Sequence, residues 1–110
     1  MTAGHANNIF IATNKSQAVY AESVSKVIGV IVFDIKEDYI KSAYIIAGGV
    51  ETEYRNRGIY KLLHQQLEEL AKQLGCSKIR SEVHPNNTAM INTFTSLGKR
   101  IAFYRTEKDL

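Results

Sequence analysis

Cysteine is almost absent from this sequence. The chain of 110 residues contains one cysteine, Cys76, so no disulfide bond can form within it. Structural disulfides belong to oxidising compartments, and a lone thiol is typical of proteins from a reducing cytoplasm. Neither this cysteine nor the three histidines show the spacing of metal ligands. We therefore predict a cytoplasmic protein without a metal site.

Long apolar runs and strong charge are also missing. No apolar stretch approaches the roughly 18 residues that a transmembrane helix requires, so no membrane span is expected. The segment before Ile9 has neither the basic start nor the apolar core of a signal peptide. The net charge of +3 is mild. It suits a small polyanionic ligand, and it is too small to argue for a nucleic-acid partner.

Length and composition indicate one ordinary globular domain. Apolar residues make up 45% of the chain and charged residues 23%, which is usual for a globular protein. A length of 110 residues is short for an independent core. No internal repeat, low-complexity tract or linker divides the sequence, so we predict a single domain over residues 1–110.

Residues 43–74 contain the most informative pattern. An apolar run ends in Gly48-Gly49, a polar loop follows, and then apolar residues recur at helical spacing. The apolar stripe of this helix consists of Ile59, Leu62, Leu63, Leu67, Leu70, Ala71 and Leu74. Gly75 follows the last of them, where a left-handed cap commonly ends a helix. The order is therefore strand, loop and helix.

The loop before this helix is a candidate anion site. The first N–H groups of a helix lack intrahelical partners, and the helix dipole makes that end positive. Arg55 and Arg57 lie beside those donors, and Gly58 leaves room for a ligand. A phosphate or pyrophosphate fits such a site. The alternative is an ordinary connection whose arginines face water.

The remaining elements are read from alternation, β-branched content and turn residues. Strands are predicted at residues 9–13, 18–24, 27–35, 39–47, 77–83 and 101–104, with a hairpin turn at residues 36–38. The short turn makes the strands at 27–35 and 39–47 antiparallel, whereas the helical crossover makes the strand at 77–83 parallel to the latter. Asn87 is expected to cap a second helix that ends at Gly98.

Two motifs carry a resemblance to a known family. Residues 55–60 (R-N-R-G-I-Y) resemble the R/Q-x-x-G-x-G/A loop of the GNAT acetyltransferase superfamily, and residues 50–54 are similar to its V-x-P-E-Y lead-in. Downstream, Asn87, Ile91, Phe94, Leu97 and Gly98 resemble the family segment N-x-x-A-I-x-x-Y-x-x-L-G-F. The resemblance covers residues 27–104, and its motifs have the expected order.

The resemblance implies an α+β fold. The expected sheet is mixed and mainly antiparallel, with a central, splayed parallel strand pair, two main helices and none of the usual N-terminal helices. It also implies that acetyl-CoA is the co-substrate, with its pyrophosphate on the loop and its pantetheine arm beside Gly48-Gly49. The alternative for these glycines is a simple strand end. The implied cofactor-binding residues are Gly49, Val50, Arg55, Asn56, Arg57, Gly58, Ile59, Tyr60, Asn87 and Phe94.

Three positions depart from the family pattern. Tyr60 stands where glycine or alanine is usual, so a large ring is expected near the phosphate path. Phe94 replaces a tyrosine whose hydroxyl often acts as general acid in the family. Lys99 replaces an aromatic residue after the glycine.

Glu82 is the first candidate for the general base. Residues 82–87 (E-V-H-P-N-N) are similar to the E-V-R-x-x-N segment of protein N-terminal acetyltransferases in this superfamily, where the glutamate is the base. Alternation places Arg80, Glu82 and His84 on one face, which is either a catalytic cluster or a solvated surface. Glu51 and Glu53 are alternative bases, or carboxylates that pair with the loop arginines.

The general acid and the other histidines are less defined. Since phenylalanine cannot donate a proton, the candidate acids are the tyrosines at positions 44, 54, 60 and 104, and Tyr44 is included among the catalytic candidates. His64 is expected on the polar side of the central helix, without a role.

The preferred function is an N-acetyltransferase that moves an acetyl group from acetyl-CoA to an amine by direct attack. The acceptor, a small molecule or a protein, and the acyl chain length stay open. The first alternative is a non-catalytic, regulatory domain that binds CoA or acyl-CoA. The second is a small basic α+β module for phosphorylated partners or RNA, against which stand the mild charge and the lack of an aromatic strand platform. The short sheet leaves free edges, which predicts a homodimer.

Overall fold

A single mixed sheet forms the framework of the chain. The computed structural model describes residues 9–14, 18–24 and 26–110. The strands are β1 Ile9–Asn14, β2 Ala18–Ser23, β3 Lys26–Glu37, β4 Lys41–Val50 and β5 Lys78–Arg80. They follow the order β1-β2-β3-β4-β5. The first three pairings are antiparallel and β4–β5 is parallel, which confirms the predicted α+β fold with its parallel pair.

The helices begin and end at residues with clear local signals. A 3-10 turn spans Thr52–Tyr54, α1 spans Ile59–Gln73 and α2 spans Thr88–Ser96. Asn87 caps α2, with its side-chain oxygen 3.1 Å from the Met90 N–H nitrogen. Gly75 and Gly98 follow the helices with φ of 81° and 84°. No helix in the described part of the chain is long and apolar enough to cross a membrane.

The core lies between α1 and one face of the sheet. Its buried residues are Ile9, Ile11, Val19, Ala21, Ile28, Ile31, Phe33, Ala43, Ile45, Ile59, Leu63, Leu67 and Ala71. Gly29 lets α1 approach β3 closely, because a Cβ added there would lie 3.2 Å from Leu63 Cδ1. Glycine in a strand interior is typical of such a close approach.

The opposite face of the sheet is less covered. Along β2, buried and half-buried residues alternate strictly. On β3, Ile31 and Phe33 are buried under α1, whereas Val30 and Val32 are half-buried on the opposite face. Among the described residues, the helices therefore pack against one face of the sheet, and the other face has no helix over it.

The hairpin between β3 and β4 differs from its prediction. Strand β3 continues through Glu37, and the turn lies at residues 38–40, where the Ile40 N–H donates to Asp38 Oδ1 over 3.1 Å. Strand β4 continues to Val50, so Gly48 and Gly49 are paired with β3 and do not mark the strand end. Both strands are longer than predicted, because each one supplies ladder partners for the other. The alternation of residues within a single strand does not reveal such partners.

His64 was placed on the polar side of the helix, and this was wrong. Its side chain is 3% exposed. His64 comes directly after Leu63, which belongs to the apolar stripe. Its side chain lines a small cleft together with Leu97, Gly98 and Lys99. The segment after α2 therefore covers this flank of α1, and the pattern within α1 carries no signal of that covering.

Of the last two predicted strands, the one at residues 77–83 was too long and the one at residues 101–104 was wrong. Strand β5 ends at Arg80, although the prediction extended to residue 83. Residues 101–104 form no strand, and Ile101 and Phe103 are 64% and 76% exposed. A strand requires a neighbour for its backbone N–H and C=O groups. The short edge of β5 supplies too little ladder for another strand.

Candidate functional site

The parallel strands β4 and β5 part soon after they meet. Residues 42–44 pair with residues 78–80, and Tyr44–Arg80 is the last ladder pair. Beyond it β4 continues to Val50, while residues 81–84 leave the sheet. A gap therefore opens between Ile45 and Ser81, and the β4 edge facing it has no ladder partner among the described residues.

A bulge in β4 lies beside this gap. Phe33 pairs with Ile45 and Val32 with Ala47, which leaves Ile46 without a partner on β3. The Ile46 side chain is 61% exposed. A bulge bends the strand and redirects its polar backbone groups, and bulges are frequent next to active sites. The bulge lies two residues before Gly48-Gly49, the glycines that the family resemblance places beside the pantetheine arm.

The loop that follows β4 turns sharply into α1. Asn56 and Gly58 have positive φ angles of 62° and 75°. Gly58 occupies the N-cap position of α1 in the left-handed conformation, which glycine adopts without steric penalty. A Cβ added at Gly58 would meet no atom within 4 Å, so the space in front of the helix is open.

The first turn of α1 presents free donors and no negative side chain. No side chain caps this end, and the first turn contains no acidic residue. Leu62 N–H donates to Gly58 O, which leaves the preceding N–H groups without helical partners. These donors and the helix dipole favour an anion in the open space before Gly58.

The two loop arginines are held near this space. Arg55 Nε donates to Val50 O over 3.0 Å, and the Arg57 guanidinium lies 5.2 Å from the centre of the Tyr54 ring. Neither arginine forms an ion pair with a carboxylate of the described residues, Glu51 and Glu53 included. Their charges are therefore not neutralised locally.

An open cleft of about 350 Å³ adjoins the loop. It lies between the start of β3 and the end of β4, and its rim includes Gly49, Val50, Glu51 and Arg55. Glu51 is exposed here. The cleft brings the end of β4 and the arginine loop to one surface, which a ligand spanning both would cover.

On the open face of the sheet, Glu82 lies beside Tyr44. The Tyr44 hydroxyl donates to Glu82 Oε1 over 2.7 Å. Arg105 Nη2 lies 3.3 Å from Glu82 Oε2. The pKa of Tyr44 is raised, mainly by the hydrogen bond to Glu82 and also by burial. The phenol therefore keeps its proton. Glu82 stays 57% exposed beside the gap.

The other two members of the expected polar cluster lie apart from Glu82. Arg80 Nη2 donates to the Tyr39 hydroxyl over 3.0 Å, and Arg80 Nη1 lies 3.5 Å from Asp38 Oδ2. The exposed His84 accepts a hydrogen bond at Nδ1 from the Asn86 N–H over 3.1 Å. The structure therefore joins Glu82 to Tyr44 and Arg105, and not to His84.

On the helix face of the gap, two aromatic rings lie side by side. The rings of Tyr60 and Phe94 have centroids 6.4 Å apart and are tilted by 56°. A Cβ added at Gly48 would lie 3.4 Å from Tyr60 Cε2, so the tyrosine packs against β4. Burial raises the pKa of Tyr60. The ring therefore packs against the sheet at Gly48, and its closeness to the phosphate path stays a prediction.

Lys99 completes this helix-face cluster. Its Nζ donates to Ser81 Oγ over 2.6 Å and lies 4.1 Å from the centre of the Phe94 ring. Burial lowers the pKa of Lys99 to about 8, against the opposing effect of Glu68. Sequence analysis noted Lys99 only as a departure from a motif. The available signal was a charged residue at a position that apolar residues usually fill.

Two residues of α1, His64 and Glu68, lie next to Lys99. His64 Nδ1 is 2.9 Å from Glu68 Oε2, and the buried His64 Nε2 has no hydrogen-bond partner in the described structure. Burial lowers the pKa of His64 despite the contact with Glu68. No group of three His, Cys, Asp or Glu side chains among the described residues is arranged to hold a metal ion.

The remaining tyrosine candidates lie outside the gap. Tyr104 is 85% exposed on the C-terminal segment. Tyr54 stacks with Arg57 in the loop. Of the four tyrosines considered as acids, only Tyr44 and Tyr60 lie beside the point where β4 and β5 part, and they lie on opposite faces of the sheet.

Known structures with this fold are numerous. A Pyrococcus furiosus protein assigned as an acetyl transferase shares 29% identity with a TM-score of 0.80, over 84% of this chain and 64% of that protein. An aminoglycoside N-acetyltransferase in complex with CoA shares 24% identity with a TM-score of 0.69, over 83% of this chain and 75% of that one. A ribosomal-protein-alanine N-acetyltransferase from Brucella melitensis shares 14% identity with a TM-score of 0.73, over 84% of this chain and 70% of that one.

The chain is shorter than these proteins and spans 64% of the length of the Pyrococcus furiosus structure. Comparison with curated protein sequences gives no match. The family model described as the acetyltransferase (GNAT) family matches residues 3–98, which is most of the chain and includes both motifs and the parted strands. The chain therefore belongs to the GNAT acetyltransferase family.

Proposed function

We propose that residues 1–110 form one acetyl-CoA-binding domain that transfers an acetyl group to an amine. The observation that carries this proposal is the open, donor-rich start of α1 beside two unneutralised arginines, next to the gap between β4 and β5. A phosphate-binding end and a slot with free backbone groups are what a long, phosphorylated thioester requires. Membership in the family supports the same ligand.

The residues at the loop fit acetyl-CoA. The N–H groups at Gly58, Ile59 and Tyr60 and the side chains of Arg55 and Arg57 would hold the pyrophosphate. The β4 backbone at Gly49 and Val50 would flank the pantetheine arm, with the Val50 carbonyl oxygen also accepting from Arg55. Asn56, Asn87 and Phe94 complete the binding residues that we assign, with Asn87 held in its capping role at the start of α2. Acetyl-CoA supplies the activated acetyl group.

Glu82 is the base that we assign. A free alkylamine has a pKa of about 10.4 and must lose a proton to attack a carbonyl carbon. Glu82 is accessible beside the gap and accepts that proton, directly or through water. Tyr44 positions the carboxylate through its hydrogen bond, and the β4 backbone at Ile46, which has no partner residue on β3, would supply a donor for the developing oxyanion. Glu51 is a second candidate base beside the cleft.

A non-catalytic CoA-binding domain is the second candidate function. It is favoured by Phe94, which has no proton to donate, and by the contact of Glu82 with Arg105, which occupies part of the carboxylate. In that case the loop and the gap would bind CoA or an acyl-CoA, and the domain would report its presence to a partner. The third possibility, an RNA-binding module, has no support from the described surface.

An activity measurement separates the two candidates. Purified protein is incubated with acetyl-CoA and a panel of amines, and free thiol is measured. The panel includes an aminoglycoside and a peptide with a free N-terminal alanine, since proteins that act on such acceptors share the fold. Transfer that falls about 100-fold in Glu82→Gln, at unchanged acetyl-CoA affinity, supports the enzyme. Tight acetyl-CoA binding without thiol release for any amine supports the regulatory domain.

The quaternary structure and compartment are part of the proposal. The exposed Ile101 and Phe103 favour a homodimer, because exposed apolar side chains promote association. A single sedimenting species of monomer mass at micromolar concentration would contradict the dimer. The half-exposed thiol of Cys76 is compatible with a reducing cytoplasm.

A further inference from the structure

A charged amine lies where the two parallel strands part. Ser81 is the first residue beyond the last β4–β5 ladder pair, and Lys99 Nζ donates to its hydroxyl over 2.6 Å. Ile79 packs against the core below α1. Because side chains alternate along a strand, Ser81 lies on the same face as Ile79, which is the helix face, and Lys99 bonds to it there. Tyr44 and Glu82 bond to each other on the opposite face of the same point. The gap thus has a carboxylate on one face and an ammonium on the other.

The ammonium of Lys99 has no ion-pair partner among the described residues. Lys99 forms no ion pair with a carboxylate of the described residues, since Glu68 is bonded to His64. Its polar partner is the neutral Ser81 hydroxyl, and its other neighbour is the face of the Phe94 ring. Burying a cation without a paired charge is unfavourable for folding. An apolar residue at position 99 would pack there without that penalty, which points to a role in chemistry.

We propose that Lys99 donates the proton that the leaving thiolate receives when acetyl transfer takes place in the gap, with Ser81 and Phe94 holding its ammonium. This proposal rests on the proposed function. Phe94 occupies the α2 position facing Tyr60 and the gap but has no hydroxyl, and Lys99 supplies a donor directly over its ring. The residue is therefore assigned as the general acid of this site.

The proton and electron balance is complete with the groups named. The neutral amine forms the C–N bond, the C–S bond breaks, and its electron pair stays on sulfur. Glu82 first passes to solvent the proton that it took from the ammonium form of the amine. It then takes the second proton from the amine nitrogen during attack, and sulfur takes one proton from the ammonium of Lys99. The products are the amide and the thiol. Exchange with solvent then returns a proton to Lys99 and removes one from Glu82, so no further reactant is needed.

The acidity of Lys99 suits this step. Burial lowers its pKa to about 8, close to the value of about 8.5 for an alkyl thiol. Proton transfer between groups of similar pKa is efficient near neutral pH. The titratable groups that face Lys99 are His64 and Glu68 of α1. Lys72 of α1, and Cys76 and Lys78 around the start of β5, line the same cleft. Of these, Glu68 opposes the lowering of the pKa.

The test measures the thiol of bound CoA, separately from activity. The purified protein is saturated with CoA, and the ultraviolet absorbance of the thiolate is followed against pH in wild type, Lys99→Met and Lys99→Arg. We expect the bound thiol to titrate at lower pH than free CoA in wild type, and this difference to disappear in Lys99→Met. In Lys99→Arg the thiol stays acidified, but turnover falls about 100-fold because a guanidinium rarely releases a proton.

The outcomes separate this proposal from the proposed function. If CoA binds but its thiol titrates identically in wild type and in Lys99→Met, the role of Lys99 is overturned and CoA binding stands. Acetylation of Lys99 itself, detected by mass spectrometry, would make the amine a nucleophile and also overturn the assignment. If CoA does not bind wild type, both proposals fall. The comparison of bound with free CoA in wild type needs no variant to fold.

Discussion

The Tyr44 hydroxyl donates to the Glu82 carboxylate over 2.7 Å, and so links the last β4 residue of the β4–β5 ladder to a residue two positions beyond its ladder partner Arg80. The bond joins residues that are 38 positions apart in the sequence and crosses from β4 to the segment that leaves the sheet after β5. The second oxygen of the carboxylate, Oε2, accepts a hydrogen bond from Arg105 Nη2 over 3.3 Å. The geometry favours a base that is positioned by a neighbouring phenol.

Replacing Tyr44 tests this relationship. Tyr44→Phe removes one hydrogen bond to a charged group, which contributes about 1.5–3 kcal/mol in proteins. We expect kcat to fall at least about tenfold and the affinity for acetyl-CoA to stay unchanged, because the ring itself still packs. Steady-state kinetics and calorimetric titration provide the two values.

Tyr39→Phe is the matched control for that substitution. The Tyr39 hydroxyl accepts from Arg80 on the hairpin side of the ladder, away from the gap. This variant should keep kcat within about twofold, as expected for an exposed side chain without a special role. Equal losses in both variants would show that the phenol at position 44 has no specific function.

The glycine at the start of α1 should be essential for ligand binding. Gly58→Glu places a carboxylate in front of the free N–H groups, where it competes with a phosphate. Its φ of 75° disfavours any side chain, at a cost of roughly 1–2 kcal/mol for a non-glycine residue. We expect acetyl-CoA affinity to fall at least about 100-fold, in line with two lost charge-assisted hydrogen bonds.

Gly58→Ala separates the effect of charge from backbone strain. Its Cβ would meet no atom within 4 Å, so the variant shares the strain of the glutamate variant without filling the site. Both variants should lose similar stability in thermal unfolding, and only the glutamate variant should lose most of its affinity. Retained acetyl-CoA binding in Gly58→Glu would refute the assignment of the loop.

The apolar stripe of α1 should determine the stability of the domain. Leu63 is 0% exposed and contacts the sheet at Gly29. Leu63→Ala should lower the free energy of unfolding by about 2–5 kcal/mol. Leu62→Ala, at a half-buried position, should cause a clearly smaller loss. Urea denaturation followed by circular dichroism gives both values, and equal losses would contradict the packing described.

His64 should make stability dependent on pH. Burial lowers its folded-state pKa, so the unfolded chain, with a value of about 6.5, binds more protons between the two pKa values. Its contribution is complete above about pH 6.5 and is lost as the pH falls through that value toward the folded-state pKa. The variant His64→Leu should show a weaker loss of stability on acidification. An unchanged slope of unfolding free energy against pH would refute this.

Local signals were sufficient for most of the fold. The end of α1 at Gly75, the end of α2 at Gly98 and the cap at Asn87 each follow from the chemistry of one or two residues. The glycine loop and the apolar stripe likewise lie within single segments. Because these features depend on neighbours in the chain, residue order is enough to predict them.

The errors concern features that depend on distant segments. His64 is buried because the segment after α2 covers it, and Lys99 meets Ser81 because that same segment reaches β5. Residues 101–104 alternate like a strand, but β5 is too short to pair with them. The bond between Tyr44 and Glu82 depends on the register of the parallel pair. None of these relationships has a signature in local spacing.

The most direct measurement is a calorimetric titration of the purified protein with acetyl-CoA, beside pantetheine, which lacks the pyrophosphate. The account predicts saturable 1:1 binding of acetyl-CoA at micromolar concentration and at least about 100-fold weaker binding of pantetheine, since the loop donors contribute charge-assisted hydrogen bonds. Failure of acetyl-CoA to bind at millimolar concentration, or equal affinity for both ligands, would contradict the central claim that the start of α1 holds the pyrophosphate.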